Sequence, residues 1–81
     1  MSRIEHEPTA LGEAVRQLRA QKGLTQQELA ASLDVPQSWV SNIEGARRRL
    51  GVLEALQVCE ALGCSVADLL EEYERRHRAG K

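Results

Sequence analysis

Apolar residues recur every three or four positions along most of the chain, which is the spacing of one face of an α-helix. The first helical stretch spans residues 10–21, with Thr9 placed before it as an N-cap. A second stretch opens at Thr25, and Glu28 three residues later completes the pattern of a capping box. Pro36 ends this helix because it has no amide hydrogen to donate.

Three further helices are predicted. The third runs from about residue 36 to Glu44, and only Val40 and Ile43 are expected to face inward, so most of its surface is polar. The fourth spans residues 51–62 and ends at Gly63 as a left-handed C-cap, and the fifth begins at Ser65 with Asp68 in the capping-box position. The inward residues expected are Val52, Leu53, Leu56, Cys59 and Leu62 in the fourth helix and Val66, Leu69, Leu70 and Tyr73 in the fifth.

The fold class predicted is all-α. No segment alternates with period two and no hairpin turn is present, while an 81-residue chain has room for one compact core. Five short helices joined by short loops must pack crosswise. We expect one domain over residues 9–74, a flexible N-terminal arm over 1–8 and a charged tail over 75–81 that frays.

Composition excludes several classes of protein. Hydrophobic residues make up 42% and charged residues 28%, which is the range of globular domains. No run approaches the roughly 18 apolar residues that a membrane span needs, and MSRIEHEPTA has no apolar signal core, so we expect a cytoplasmic protein without membrane contact. The cysteines Cys59 and Cys64 and the histidines His6 and His77 lack metal-ligand spacing. No metal or cofactor is expected, and the cysteines are interpreted as small apolar fillers.

Charge is distributed unevenly. The formal net charge of −1 gives no support to nucleic-acid binding. Between Arg16 and Arg49, however, six basic residues stand against three acidic ones. Acids collect elsewhere, in Glu5, Glu7 and Glu13 and again in Glu71, Glu72 and Glu74. One face of the molecule could therefore be basic.

The second and third helices are separated by a three-residue turn, which is the arrangement of a helix-turn-helix unit. In that unit the later helix enters the DNA major groove with polar side chains. The third helix offers Gln37, Ser38, Ser41 and Asn42, and a glutamine or asparagine amide can form two hydrogen bonds with adenine.

The stretch KGLTQQELAASLDVPQSWVSNIEGARRR resembles the DNA-binding segment of the Xre family, which contains the phage lambda-type repressor and Cro proteins. The family pattern of Leu-Thr-Gln, Glu-Leu-Ala, Gln-Ser, Val-Ser and Ile-Glu is met at residues 24–26, 28–30, 37–38, 40–41 and 43–44. The similarity extends through ALGCSVADLL and covers about residues 10–71. It implies a compact five-helix lambda-repressor-like domain with a central helix-turn-helix.

The resemblance also implies roles for individual residues. Thr25 and Gln26 would bind phosphate at the start of the second helix, with help from its free amides. An ion pair between Arg19 and Glu44 would be structural. The base-reading positions fall on Gln37, Ser38, Ser41 and Asn42, with Gln37 as the first choice.

The arginine loop and the single tryptophan each have two interpretations. Arg47, Arg48 and Arg49 would lie along the phosphate backbone, the alternative being a solvated charge run. Trp39 would be a partly exposed ring whose indole N–H reaches a phosphate, the alternative being a core residue. Ala46 occupies a slot where the family usually has glycine, so the path of the loop is left open.

An enzyme is not expected, because the chain has neither a Gly-rich phosphate loop nor a nucleophile with an evident base. The function predicted is a sequence-specific transcriptional regulator, a homodimeric autoregulatory repressor that binds a near-palindromic operator in double-stranded DNA. Its interface would be the exposed side of the fourth and fifth helices, and regulation would come through concentration or a regulatory protein partner. The alternative kept open is a protein-interaction module or an antitoxin whose main role is binding a partner protein.

Overall fold

The computed structural model describes residues 7–79, and these residues form an all-helical domain as predicted. The five helices are α1 (Glu7–Gln21), α2 (Gln26–Leu33), α3 (Gln37–Glu44), α4 (Val52–Leu62) and α5 (Val66–Ala79). The outer part of the predicted arm, residues 1–6, and the last two residues of the predicted tail lie outside the described residues.

Two helix ends differ from the prediction. Helix α1 begins at Glu7, so Thr9 lies within its first turn and is not the N-cap. The sequence permits this because Pro8 fits the first turn, where its missing amide hydrogen would have had no helical acceptor. At the other end α5 continues to Ala79, where fraying was expected from residue 75.

Ion pairs accompany the continuation of α5 past residue 75. The carboxylate of Glu72 is buried, and it lies 3.0 Å from Arg75 Nη1 and 3.4 Å from Arg76 Nη2. These partners stand three and four residues further along, on the same side of the helix. These pairs lie within α5 and reach Arg76, and the helix continues to Ala79.

Three predicted helix ends are confirmed. Thr25 Oγ1 accepts from the Glu28 amide at 3.0 Å while the Glu28 carboxylate accepts from the Thr25 amide at 2.8 Å. Ser65 and Asp68 form the same reciprocal pair at the start of α5, both bonds being 3.0 Å. Gly63 ends α4 with φ +70°, a conformation that glycine adopts without the steric penalty of a Cβ atom.

The core lies between α1 and the inner faces of the other four helices. Val40 and Ile43 of α3 are buried in it, as predicted. Cys59 is buried and Cys64 half-buried, and burial raises the pKa of the Cys59 thiol to about 11, so it stays protonated as an apolar filler. The other core residues are Ala14, Val15, Leu18, Leu29, Ala30, Val58, Leu62 and Leu69.

The inward face predicted for α4 is wrong at its first turns, and that of α5 is wrong at two positions. Val52 and Leu53 are 81% and 74% exposed. Leu56, Val66 and Leu70 are also exposed. Helix α4 is apolar around most of its circumference, so periodicity does not select the side that packs. The side buried against the core carries Ala55, Val58, Cys59 and Leu62.

Gly12 allows α1 and α3 to approach with their backbones in contact. A Cβ atom at this position would overlap the carbonyl oxygen of Ile43 and lie 3.1 Å from that of Glu44. No other residue type fits there without moving a helix. This crossing places the end of α3 on α1 and leaves the opposite side of α3 facing outward.

Candidate nucleic-acid interface

The turn between α2 and α3 comprises three residues, as the sequence predicted. Asp34 adopts a left-handed conformation, with φ 59° and ψ 45°, in the place where a glycine is usual. Aspartate tolerates this region better than most residues with a Cβ atom. The Val35 amide then donates to the Ala30 carbonyl at 3.0 Å, and Pro36 starts α3 from an extended conformation. The helix-turn-helix is therefore complete.

The outward side of α3 is polar. Gln37 and Ser38 are exposed, whereas Ser41 and Asn42 are half-buried. The backbone carbonyl of Asn42 accepts from the amides of two arginine-loop residues, Arg47 at 2.8 Å and Arg48 at 3.2 Å. All four residues expected to read bases thus have accessible surface, with Gln37 and Ser38 the most open.

A chain of side-chain hydrogen bonds joins the start of α3 to the start of α2. Gln37 Nε2 donates to Gln26 Oε1 at 3.4 Å, and Gln26 Nε2 donates to Glu44 Oε1 at 3.0 Å. An amide group has two donor hydrogens and one oxygen with two lone pairs. Gln26 therefore contacts Gln37 and still retains one N–H for a ligand. The contact between Gln26 and Gln37 was not predicted from the sequence.

Glu44 also binds Arg19, which extends the chain into α1. Arg19 Nε donates to Glu44 Oε2 at 2.6 Å and Nη2 to Oε1 at 3.0 Å. The two side chains are only 15% and 3% exposed. The hydrogen bond to Glu44 raises the pKa of Arg19 against the opposing effect of burial. Arg19 is thus committed to the protein interior, the role that the family resemblance implied.

The loop from Gly45 to Gly51 takes a defined path. Gly45 ends α3 with φ −89°, and Ala46 rather than the glycine takes the left-handed conformation, with φ 61°. An alanine in this region carries a steric cost of about 1–2 kcal/mol. The Asn42 carbonyl holds the next two amides, so the displaced glycine does not leave the loop free.

Within this loop the three arginines differ in their surroundings. All three side chains are exposed, but of the three Arg48 alone has partners on both sides among the described residues. The Arg48 guanidinium lies 5.2 Å from the centre of the Trp39 ring, and its Nη2 donates to Glu54 Oε2 at 2.5 Å. Glu54 belongs to the first turn of α4, and no role was predicted for it from the sequence.

Trp39 is a partly exposed ring that also packs against the core, and its contact with phosphate stays a prediction. One side of the ring packs against the hydrophobic core, and the residue is half-buried rather than enclosed. Its remaining surface lies on the outward part of α3, next to the guanidinium of Arg48. An aromatic ring in this position can stack a cation while staying anchored in the protein.

The described residues offer little for other kinds of chemistry. No three His, Cys, Asp or Glu side chains in this part of the chain lie close enough to hold a metal ion. Among residues 7–79, no helix combines the length and the apolar character needed to cross a membrane.

Comparison with known proteins connects this geometry to a family. A family model described as a helix-turn-helix domain matches residues 10–72. The XRE-family like protein from Pseudomonas syringae is 40% identical, covers 85% of this chain and 84% of its own, and superposes with a TM-score of 0.74. The chain belongs to the Xre family of helix-turn-helix proteins.

Other Xre relatives are named as regulators. The clp gene regulator ClgR from Corynebacterium glutamicum is 42% identical, with 83% of this chain and 87% of that one covered and a TM-score of 0.80. The uncharacterized HTH-type transcriptional regulator y4mF of Sinorhizobium fredii is 35% identical over 69 residues, which are 85% of this chain and 90% of that protein. This Xre chain is accordingly a DNA-binding transcriptional regulator and not an enzyme.

Proposed function

We propose that this Xre protein is a dimeric autoregulatory repressor that reads the major groove of a near-palindromic operator through α3. The observation that carries the proposal is the outward polar side of α3, whose first residue, Gln37, is held by Gln26. A side chain that reads a base needs a fixed orientation before binding, because ordering it on the DNA would cost affinity. In this proposal the protein acts in the cytoplasm, together with the DNA.

In this proposal Gln37 forms two hydrogen bonds with an adenine, using its amide oxygen and nitrogen at N6 and N7. Ser38, Ser41 and Asn42 meet neighbouring base edges, the last two with the part of their side chains that remains accessible. Contacts of this kind discriminate between base pairs, whereas contacts with phosphate set only position.

Phosphate contacts would come from both sides of α3. The free amides at the start of α2 attract an anion there, and Thr25 and Gln26 stand at that end. The Trp39 indole and the arginine loop, Arg47, Arg48 and Arg49, would follow the backbone beyond the other end of α3. The local basic excess around the helix-turn-helix supports this arrangement despite the slightly negative whole chain.

The dimer is supported by apolar side chains left exposed on α4 and α5. Leu53 is 74% exposed, and full burial of a leucine side chain is worth about 1.5–3 kcal/mol. The exposed apolar set is Val52, Leu53, Leu56, Val66 and Leu70. Sedimentation should therefore show a dimer for the wild type and a monomer for Leu53→Glu. Gln27→Glu, which adds the same charge to an exposed position of α2 outside this apolar set, should remain dimeric.

The decisive experiment measures fluorescence anisotropy of duplex DNA from upstream of the protein's own gene, beside a shuffled duplex, at about 150 mM salt. A preference of at least ~10³-fold for the upstream duplex would establish specific autoregulation. Equal and weak binding to both duplexes would reject it.

A second function is kept because of the same exposed apolar surface. Val52 and Leu53 are suitable anchors for a partner protein, as in an antitoxin or an interaction module. A monomeric wild-type protein without DNA specificity would favour that function. A dimer that selects its upstream duplex would favour the repressor.

A further inference from the structure

Arg48 is held between an aromatic ring and a carboxylate. Its guanidinium lies 5.2 Å from the Trp39 ring centre, and Nη2 donates to Glu54 Oε2 at 2.5 Å. The other oxygen of that carboxylate, Oε1, accepts from the Gly51 amide at 2.9 Å. Both oxygens of Glu54 are thus engaged, and the carboxylate is fixed in front of Arg48.

We propose that Glu54 lowers the DNA affinity of this protein because its carboxylate competes with a DNA phosphate for Arg48. The proposal rests on the proposed function, in which the arginine loop meets the phosphate backbone. A carboxylate and a phosphate present similar anionic oxygens to the planar donor fork of an arginine. A phosphate that approaches Arg48 must therefore displace Glu54 or share the guanidinium with it.

The strength of the Arg48–Glu54 pair suits such an exchange. The two side chains are 42% and 33% exposed, so solvent screens their attraction. An exposed pair of this kind changes an equilibrium by about 1.4-fold to fivefold. That effect is small enough for a phosphate to overcome and large enough for a binding measurement to detect.

Competition also has a consequence for salt dependence. A phosphate neutralised by Arg48 releases its condensed cation, which contributes about one unit to the slope of log K against log salt. If Arg48 leaves Glu54 in the process, the freed carboxylate attracts a cation from solution. Part of the contribution of Arg48 to the slope is then cancelled in the wild-type protein.

The test is Glu54→Gln, measured by anisotropy on the preferred duplex over a range of salt concentrations. Glutamine can still accept from the Gly51 amide at the third position of α4, so the helix start is retained while the charge is lost. The dissociation constant should fall by up to about fivefold, and the salt slope should become steeper by up to about one unit.

Two controls separate competition from a general loss of negative charge. Asp68→Asn removes the same charge from the same capping position at the start of α5, outside the arginine loop, and should leave affinity unchanged. The gain from Glu54→Gln should also disappear in an Arg48→Ala background. A gain that persists without Arg48, or a Glu54→Gln protein that binds as weakly as the wild type or more weakly, would overturn the proposal.

Trp39 provides a second readout because it is the single tryptophan of the chain. Its emission in the free protein should change in Arg48→Ala and in Glu54→Gln if the guanidinium is held over the ring in solution. Circular dichroism and sedimentation would confirm that each variant keeps the fold and assembly of the wild type. A wild type without DNA binding would reject the proposed function itself, whereas DNA binding with no effect of Glu54→Gln would reject only the competition.

Discussion

The carboxylate of Glu44 at the end of α3 forms two parallel hydrogen bonds with the guanidinium of Arg19 on α1. The third nitrogen of this guanidinium, Nη1, donates to the Leu24 carbonyl at 2.7 Å, just before α2 begins. One arginine therefore connects α1, α3 and the segment that leads into α2. Because Gln26 binds the same carboxylate, this pair also helps to position the start of α2 against the end of α3.

Removal of Arg19 should destabilise the fold. In Arg19→Ala the carboxylate of Glu44, only 3% exposed, would keep Gln26 as a partner and lose its counter-charge. We expect a loss of about 2–4 kcal/mol in the free energy of unfolding, because a buried charge without its partner is costly. Urea denaturation would measure it. Arg16→Ala, at an exposed position of the same helix, should change stability by no more than about 0.5 kcal/mol.

Gln37→Ala and Gln26→Ala should weaken DNA binding in different ways. The first should cost about 1–3 kcal/mol on the best site and relax the preference at one base pair. The second should cost about 0.5–1.5 kcal/mol, because Gln37 loses the partner that orients it. Anisotropy on a panel of single-base variants would distinguish them, with Gln27→Ala at the next, exposed position as the control. A base preference that survives Gln37→Ala would remove that residue from base reading.

Gly12→Ala should be strongly destabilising although it adds one methyl group. The new Cβ atom would overlap the Ile43 carbonyl oxygen, and α1 would have to move away from α3. We expect a loss of about 2–3 kcal/mol or more, visible as a lower melting temperature. Gly51→Ala would place its Cβ 3.4 Å from the Glu54 carboxylate and should cost less than about 1 kcal/mol. Equal melting temperatures for the two variants would argue against the close helix crossing.

Stability should fall in acid through the carboxylates that cap α4 and α5. Hydrogen bonds from Ser65 hold the pKa of Asp68 below its usual value, and the Gly51 amide, followed by Arg48, does the same for the pKa of Glu54. A depressed folded pKa contributes stability above the unfolded pKa of about 4, and this contribution is lost as pH falls through the folded value. Urea midpoints at pH 7, 5 and 3 would measure the loss. The difference between wild type and Asp68→Asn should shrink at the lowest pH, and a difference that grows there would contradict the assignment.

Local signals in the sequence were enough for most helix boundaries. The capping boxes at Thr25 and Ser65 involve a residue and its third neighbour, so the chain contains both partners within one turn. Val40 and Ile43 were correctly placed in the core because α3 has few other apolar residues to choose from. Local interactions of this type do not depend on how the rest of the molecule is arranged.

Local signals gave the wrong result where the sequence was compatible with more than one buried face or helix end. Helix α4 has apolar residues on most sides, and only its packing against α2 and α5 decides that Val58 is buried while Leu53 is exposed. The charged end of α5 was expected to fray, yet pairing with the buried Glu72 accompanies a helix that continues to Ala79. For α4 the deciding partners lie on other helices, whereas the ion pairs of α5 lie within the helix, among charged residues that the apolar pattern does not include.

The sequence by itself determined the helix-turn-helix, its family and the polar surface of α3, because caps, spacing and motif are properties of neighbouring residues. The tertiary structure decided that Gly12 lies under α3, that Gln26 holds Gln37, and that Glu54 stands in front of Arg48. The Gly12 and Gln26 contacts join different helices, and the partner of Arg48 depends on the path of the loop. Each distance is set by the packing of the whole core, which no single segment encodes.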